Sequence, residues 1–155
     1  MYRSGILKVL IVCTGNTCRS PMGEGILKHL SKKYNTNIEV RSAGIFALDG
    51  DRASSNAILA LDSIGIDISN HISNQLHGGM IEEADIVLTM TDNQKEAIIK
   101  RFPKSGKKVY SLNYYAFGIE KDIEDPYGGT LKDYEMARDE IFRAMEKIVQ
   151  DVGNR

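Results

Sequence analysis

The chain reads as an α/β protein of the doubly wound kind, a single domain over residues 1–155 with a parallel sheet and helices on both faces. Four short apolar runs rich in β-branched residues recur along it, with helical spacing between most of them, the alternation that joins parallel strands through helical crossovers. The first and third of them, residues 6–12 and 85–90, lack the polar alternation of a half-exposed strand, so both of their faces are buried. With 155 residues and 42% hydrophobic content, one substantial core forms without a second domain.

The first run, residues 6–12, is interrupted only by Lys8 and ends at Cys13. Helical spacing follows over residues 21–33, where Met22, Ile26 and Leu30 recur every fourth position and Lys28, Lys32 and Lys33 gather where cations suit the helix dipole. Gly23 and Gly25 weaken that helix intrinsically, which predicts close packing against the sheet or the loop. Residues 38–41 form a second strand leading into Ser42-Ala43-Gly44, and in a parallel sheet its end lies beside Cys13. Ser42 is then either a partner for the Cys13 loop or an ordinary turn residue.

A loop with Phe46 and the turn-like Asp49-Gly50 precedes a helix over residues 53–64, with Ala57, Leu61 and Ile64 on one face and Gly65 ending it. Residues 67–79 show no clear period. Residues 85–90 make a third strand, and Thr91-Asp92 cap a helix over residues 93–102 with Ile98 and Phe102 turned inward. Residues 107–112 are the fourth strand. After the segment holding Asp125-Pro126-Tyr127-Gly128-Gly129, a long helix over residues 131–152 closes the chain through Tyr134, Ala137, Ile141, Met145, Ile148 and Val152.

A formal net charge of -1 argues against a nucleic-acid binder with a broad basic face. No apolar run approaches a membrane span, and the opening Met1 to Gly5 enters the first strand without a signal-peptide pattern, which predicts a soluble cytoplasmic protein. Two cysteines are too few and too close for a secreted disulfide framework. The three histidines, His29, His71 and His77, lack metal-ligand spacing and read as surface residues; no metal or organic cofactor is called for.

The chemistry concentrates where the first strand ends. Cys13 is followed by five small or polar residues, Thr14, Gly15, Asn16, Thr17 and Cys18, then by Arg19, with Ser20-Pro21 reading as an N-cap and the first helical position. Loop amides at a helix N-terminus offer donors and partial positive charge to a phosphoryl group. Thr14, Gly15, Asn16, Thr17, Cys18, Arg19 and Ser20 are therefore the expected phosphate-binding residues. The planar Arg19 guanidinium grips two phosphoryl oxygens. The same field favours a thiolate, making Cys13 a nucleophile under an electrophilic phosphorus, the core of a two-step phosphatase. Cys18 shares the loop, so an oxidised Cys13 could be trapped as a reversible Cys13–Cys18 disulfide.

This pattern resembles the low-molecular-weight protein tyrosine phosphatase family, whose signature is a cysteine, five residues, arginine and Ser-Pro near the N-terminus. Asp125-Pro126 matches its second mark, and the order of elements matches over essentially the whole chain. The resemblance implies a four-stranded sheet in the order 2-1-3-4. It makes Cys13 the nucleophile, Arg19 the phosphate clamp and Asp125 the general acid and later base, with Asn16 and Ser42 holding the loop. Two departures bear on substrate. Thr17 stands where a branched aliphatic is usual, and Gly128 where a second aromatic is usual.

The form Cys-Thr-Gly-Asn-Thr-Cys-Arg-Ser-Pro-Met with Asp-Pro-Tyr-Gly-Gly is most similar to the family's protein arginine phosphatase branch. That implies phosphoarginine in proteins as the substrate, with phosphotyrosine the alternative. Thr17 would orient a polar guanidinium or a water, and Phe46 and Tyr127 would flank the planar group. Phosphorylated proteins are the expected partners, with inorganic phosphate and related oxyanions as inhibitors. Arsenate reductases share the architecture, but the thioredoxin-linked kind needs a downstream cysteine pair that is missing after Cys18.

Overall fold

The computed structural model describes residues 5–154. The opening stretch through Ser4, read as free of a leader pattern, and Arg155 lie outside the described residues. Strands β1 (Leu7–Cys13), β2 (Ile38–Gly44), β3 (Ile86–Thr89) and β4 (Val109–Ser111) form one sheet in the order β2-β1-β3-β4. Every neighbouring pair is parallel, with Cys13 opposite Gly44 and Val12 opposite both Ala43 and Thr89. The order predicted from the resemblance is the observed one.

Alternation along β1 builds the two cores. Leu7, Val9, Ile11 and Cys13 face a cluster with helices α1 (Arg19–Lys33), α2 (Ser55–Asp62), α5 (Leu112–Phe117) and α6 (Leu131–Gly153). Leu10 and Val12 face the smaller cluster of α3 (Gly78–Glu83) and α4 (Asp92–Arg101), through Met80, Ile81 and Ile98. With both faces covered, an aliphatic side chain such as Ile11 or Leu88 is fully buried, worth about 1.5–3 kcal/mol each.

The two glycines of α1 are explained by contact. A Cβ on Gly25 would lie 2.6 Å from Ile68 and 3.2 Å from Leu61, and one on Gly23 would lie 3.2 Å from Met90. A side chain at Gly25 would push α1 off the segment that follows α2.

Several expectations need correction. Helix α1 begins at Arg19 rather than Pro21, after Cys18, so Ser20 is not its cap. The Ser20 hydroxyl is drawn instead to the Cys13 sulfur, 2.9 Å away. Helix α2 is shorter than expected and buries Ala57, Ala60 and Leu61, leaving Ile64 37% exposed. Helices α3 and α5 have no counterpart in the sequence reading; each has six residues, too few for a helical period to be read. Thr91 caps α4 as expected, in a capping box completed by Gln94.

Candidate active site

Strand β1 delivers Cys13 to the carboxyl edge of the sheet, and the chain turns there through Asn16, whose φ of 58° lies in the left-handed region that asparagine tolerates. The turn brings the Asn16 N–H to 3.3 Å from the Cys13 sulfur. It also joins the N-terminus of α1, where the first N–H groups have no partner within the helix. The Cys13 sulfur therefore has the Asn16 N–H and the Ser20 hydroxyl within reach. The strand order reverses across β1, and in open parallel sheets ligands bind outside the strand ends at such a reversal.

The seven residues expected to bind phosphate divide by position. Thr14 and Arg19 line the open cleft above the sheet edge, whereas Gly15, Asn16, Thr17, Cys18 and Ser20 do not. Asn16, Cys18 and Ser20 are buried supports, and Gly15 and Thr17 are half-buried. Gly15 is not a left-handed residue, and a Cβ there would meet only Thr17 Oγ1, at an ordinary 3.7 Å. What Gly15 offers to an oxyanion is its backbone N–H alone, and the left-handed turn falls one residue later, on Asn16.

A chain of buried polar groups holds this turn. The Asn16 side-chain amide donates to Ser20 Oγ at 2.8 Å and to Ser42 Oγ at 3.0 Å, while its carbonyl accepts from Asn74 N at 2.8 Å. Because Ser20 Oγ accepts from Asn16, its own hydrogen is free for the Cys13 sulfur, the direction that stabilises a thiolate. Ser42 passes its hydrogen to Glu24 Oε1 at 2.6 Å. Ser42 is thus a loop support and not merely a turn residue.

Behind Ser42 stand Glu24, which the sequence does not single out, and His71, which it presents as a surface residue. Glu24 also accepts from Lys28, one turn along the same helix, at 2.8 Å. Burial pushes its carboxyl up, but hydrogen bonds from His71, Lys28 and Ser42 outweigh that and bring its pKa down to about 2. His71 is no surface histidine: its side chain is 7% exposed, with Nδ1 3.6 Å from Glu24. Its Nε2 lies 2.8 Å from the Asn16 carbonyl, which can only accept, so Nε2 carries the hydrogen. The Glu24 and Lys28 spacing is a legible signal; nothing local marks His71.

The rest of the loop is tied on both sides. Ile45 N donates to the Cys13 carbonyl at 3.0 Å and Phe46 N to that of Thr14 at 2.9 Å. On the other side, Ser54 N donates to the Thr17 carbonyl at 2.8 Å. The Cys18 sulfur sits 3.4 Å from the buried Tyr134 hydroxyl and 3.6 Å from Ser54 Oγ, and burial, with the Cys18 contact, pushes the Tyr134 hydroxyl up. Thr17 Oγ1 has only the Cys18 sulfur, at 3.8 Å, as a protein partner among the described residues.

Arg19 is buried, with Nη1 donating to the Ile123 carbonyl at 2.7 Å and Nη2 3.6 Å from Asp125. The Asp125 side chain is half exposed and accepts the Tyr127 N–H at 3.1 Å. The open cleft, of about 470 Å³, unites Thr14, Arg19, Phe46 and Asp125. Tyr127 is 77% exposed and lines an adjoining cleft with Asp133 and Met136, and Asp125 lines both.

A thiol among donors, a buried guanidinium and a carboxylate at the mouth of one cleft can bind an oxyanion, attack it and move a proton. The family model for low molecular weight phosphotyrosine protein phosphatase matches residues 8–155. The chain belongs to this family.

Within the family, the chain is 40% identical over 143 residues to a protein-arginine-phosphatase of Geobacillus stearothermophilus, covering 92% of this chain and 94% of that one. It is 37% identical to a low molecular weight protein-tyrosine-phosphatase of Acinetobacter johnsonii, over 77% and 79% of the two chains. Among solved structures it superposes with a TM-score of 0.91 on the YwlE arginine phosphatase, in a cysteine-to-serine mutant with a phosphorylated active site serine. That match is 36% identical and covers 94% of this chain and 95% of the other. Both named activities thus occur among the family's members at similar identity.

Proposed function

We propose that this protein hydrolyses phosphoarginine in proteins through a phosphocysteine at Cys13. The thiolate attacks phosphorus, the P–N bond breaks, and Asp125 gives its proton to the leaving guanidino nitrogen, releasing arginine. Asp125, now a carboxylate, takes a proton from water as that water attacks the phosphocysteine. The S–P bond then breaks, inorganic phosphate leaves, and both groups return to their starting states. Arg19 and the loop amides from Thr14 and Gly15 through Ser20 hold the phosphoryl oxygens throughout. No metal or organic cofactor enters this route.

The observation that carries the reading is the one cleft in which Thr14, the residue that follows Cys13 at the end of β1, meets Arg19 and Asp125. The choice of phosphoarginine is supported by the unspent Thr17 hydroxyl, by Gly128 in place of a second aromatic, and by the protein-arginine-phosphatase relative. The phosphorylated active-site serine in the YwlE mutant supports the covalent step. A phosphotyrosine substrate is the second reading, favoured by the exposed Phe46 ring at the cleft and by the tyrosine phosphatase relative.

We place the protein in the cytoplasm as a single domain; among the described residues no helix is long and apolar enough to cross a membrane. Cys18 protects an oxidised Cys13 as a reversible disulfide on the same proposal. To test the covalent step, the enzyme is mixed briefly with a phosphoarginine protein, quenched in acid and digested. The expected result is one phosphoryl group on the peptide containing Cys13. Turnover with that peptide unmodified and another residue phosphorylated would sink the mechanism.

A further inference from the structure

Gln94 carries two tasks, and its role as helix cap accounts for only one of them. Its backbone N–H donates to Thr91 Oγ1 at 3.1 Å, and its side-chain Oε1 accepts from Met90 N at 2.9 Å and Thr91 N at 3.2 Å. Those contacts complete the cap of α4 and fix which end of the amide is nitrogen. Nε2 then donates to Thr14 Oγ1 at 3.1 Å, and both residues line the cleft. Gln94 is 6% exposed, whereas Thr14 is exposed and lines the cleft with Arg19 and Asp125.

The direction of that bond has a chemical consequence. A carboxamide nitrogen only donates, so the Thr14 oxygen is the acceptor and its own hydrogen cannot turn back onto Gln94. The hydroxyl hydrogen is left for the open side, where the cleft holds the Arg19 guanidinium and the Asp125 carboxylate. We infer that Gln94 is a positioning residue that aims the Thr14 O–H at a phosphoryl oxygen of the bound substrate. Thr14 thereby acts through its side chain as well as through the loop backbone. The inference rests on the phosphatase reading of this cleft, and it ties the N-terminus of α4 to the strength of oxyanion binding.

The decisive variant is Gln94→Glu. Glutamate at this position keeps the acceptor that the capping box uses, so the melting temperature stays at the wild-type value. It replaces the nitrogen donor by a carboxylate oxygen, which draws the Thr14 hydrogen away from the cleft. Calorimetric titration with inorganic phosphate reads binding, and kcat/KM on a phosphorylated protein reads turnover. Gln94→Glu and Thr14→Val are each expected to weaken phosphate binding about tenfold and to lower kcat/KM alike, the size of one lost bond to a charged group. The double variant is expected to lose no more than either single one.

Wild-type phosphate affinity in Gln94→Glu overturns the inference. So does a further loss when Gln94→Glu is added to Thr14→Val, because the new charge would then be acting on phosphate without the hydroxyl. If Gln94→Glu does not fold, Thr14→Val decides alone: affinity about tenfold weaker supports the inference, and unchanged affinity overturns it. A wild-type protein that binds phosphate but turns over no phosphorylated protein would refute the functional reading, while the phosphate affinities would still judge Thr14 and Gln94.

Discussion

At the scale of the residue, Asp125 and Glu24 show how environment separates two carboxylates. Asp125 sits half exposed at the cleft mouth, 3.6 Å from the Arg19 guanidinium, where it can meet a leaving group and then water. Asp125→Asn keeps the shape and removes the proton, so kcat is expected to fall by about 10²–10⁴ in steady-state assays, with little change in melting temperature. Glu24 has a structural task. Its pKa is held at about 2, below the ordinary 4.5, so its contribution to stability is complete above pH 4.5 and is lost as pH falls towards 2. Glu24→Gln is therefore expected to cost on the order of 2–3 kcal/mol at neutral pH. It should also flatten the acid limb of stability between those pH values, as measured by urea unfolding. An unchanged acid limb would mean that Glu24 is not what holds Ser42 and His71.

At the scale of the element, the loop from Cys13 to Arg19 is shaped by its neighbours as much as by its own residues. Gly44, at the end of β2, leaves no room for a side chain: a Cβ there would lie 2.7 Å from the Thr14 carbonyl oxygen and 2.9 Å from Asn16 N. Both are backbone atoms of the loop, so Gly44→Ala must displace it. A cost of about 1–3 kcal/mol is expected from thermal unfolding, with a larger proportional loss of kcat/KM than of stability. The strands and the long helices are legible because their apolar spacing is sustained: Met22, Ile26 and Leu30 in α1, and Tyr134 through Ile148 in α6, are buried as read. Helices α3 and α5 are not, since six residues give fewer than two turns. The loop Cys13 to Arg19 announces itself by spacing along the chain, but spacing does not tell an exposed position such as Thr14 from a buried one such as Asn16. His71 lies 55 residues from Asn16, and such a contact exists only once β2 and the segment after α2 are folded against β1.

At the scale of the whole molecule, the sheet order gathers the ends of separate segments into one place. Thr14 follows β1, Ile45 and Phe46 follow β2, Thr91 follows β3, and Asp122 to Asp125 follow α5, all around the same cleft. The cleft therefore joins the loop after Cys13 to the segment holding Asp125. Substrate choice is the property that this convergence leaves to a few side chains. Thr17 is the sharpest test among them. The most direct measurement is the ratio of kcat/KM on phosphoarginine-bearing and phosphotyrosine-bearing versions of one protein, with Cys13→Ser as the blank, for the wild type and for Thr17→Ile. The expected result is a wild-type preference for phosphoarginine that shifts towards phosphotyrosine in Thr17→Ile, with both activities absent from the blank. A wild-type preference for phosphotyrosine that Thr17→Ile leaves unchanged would contradict the assignment.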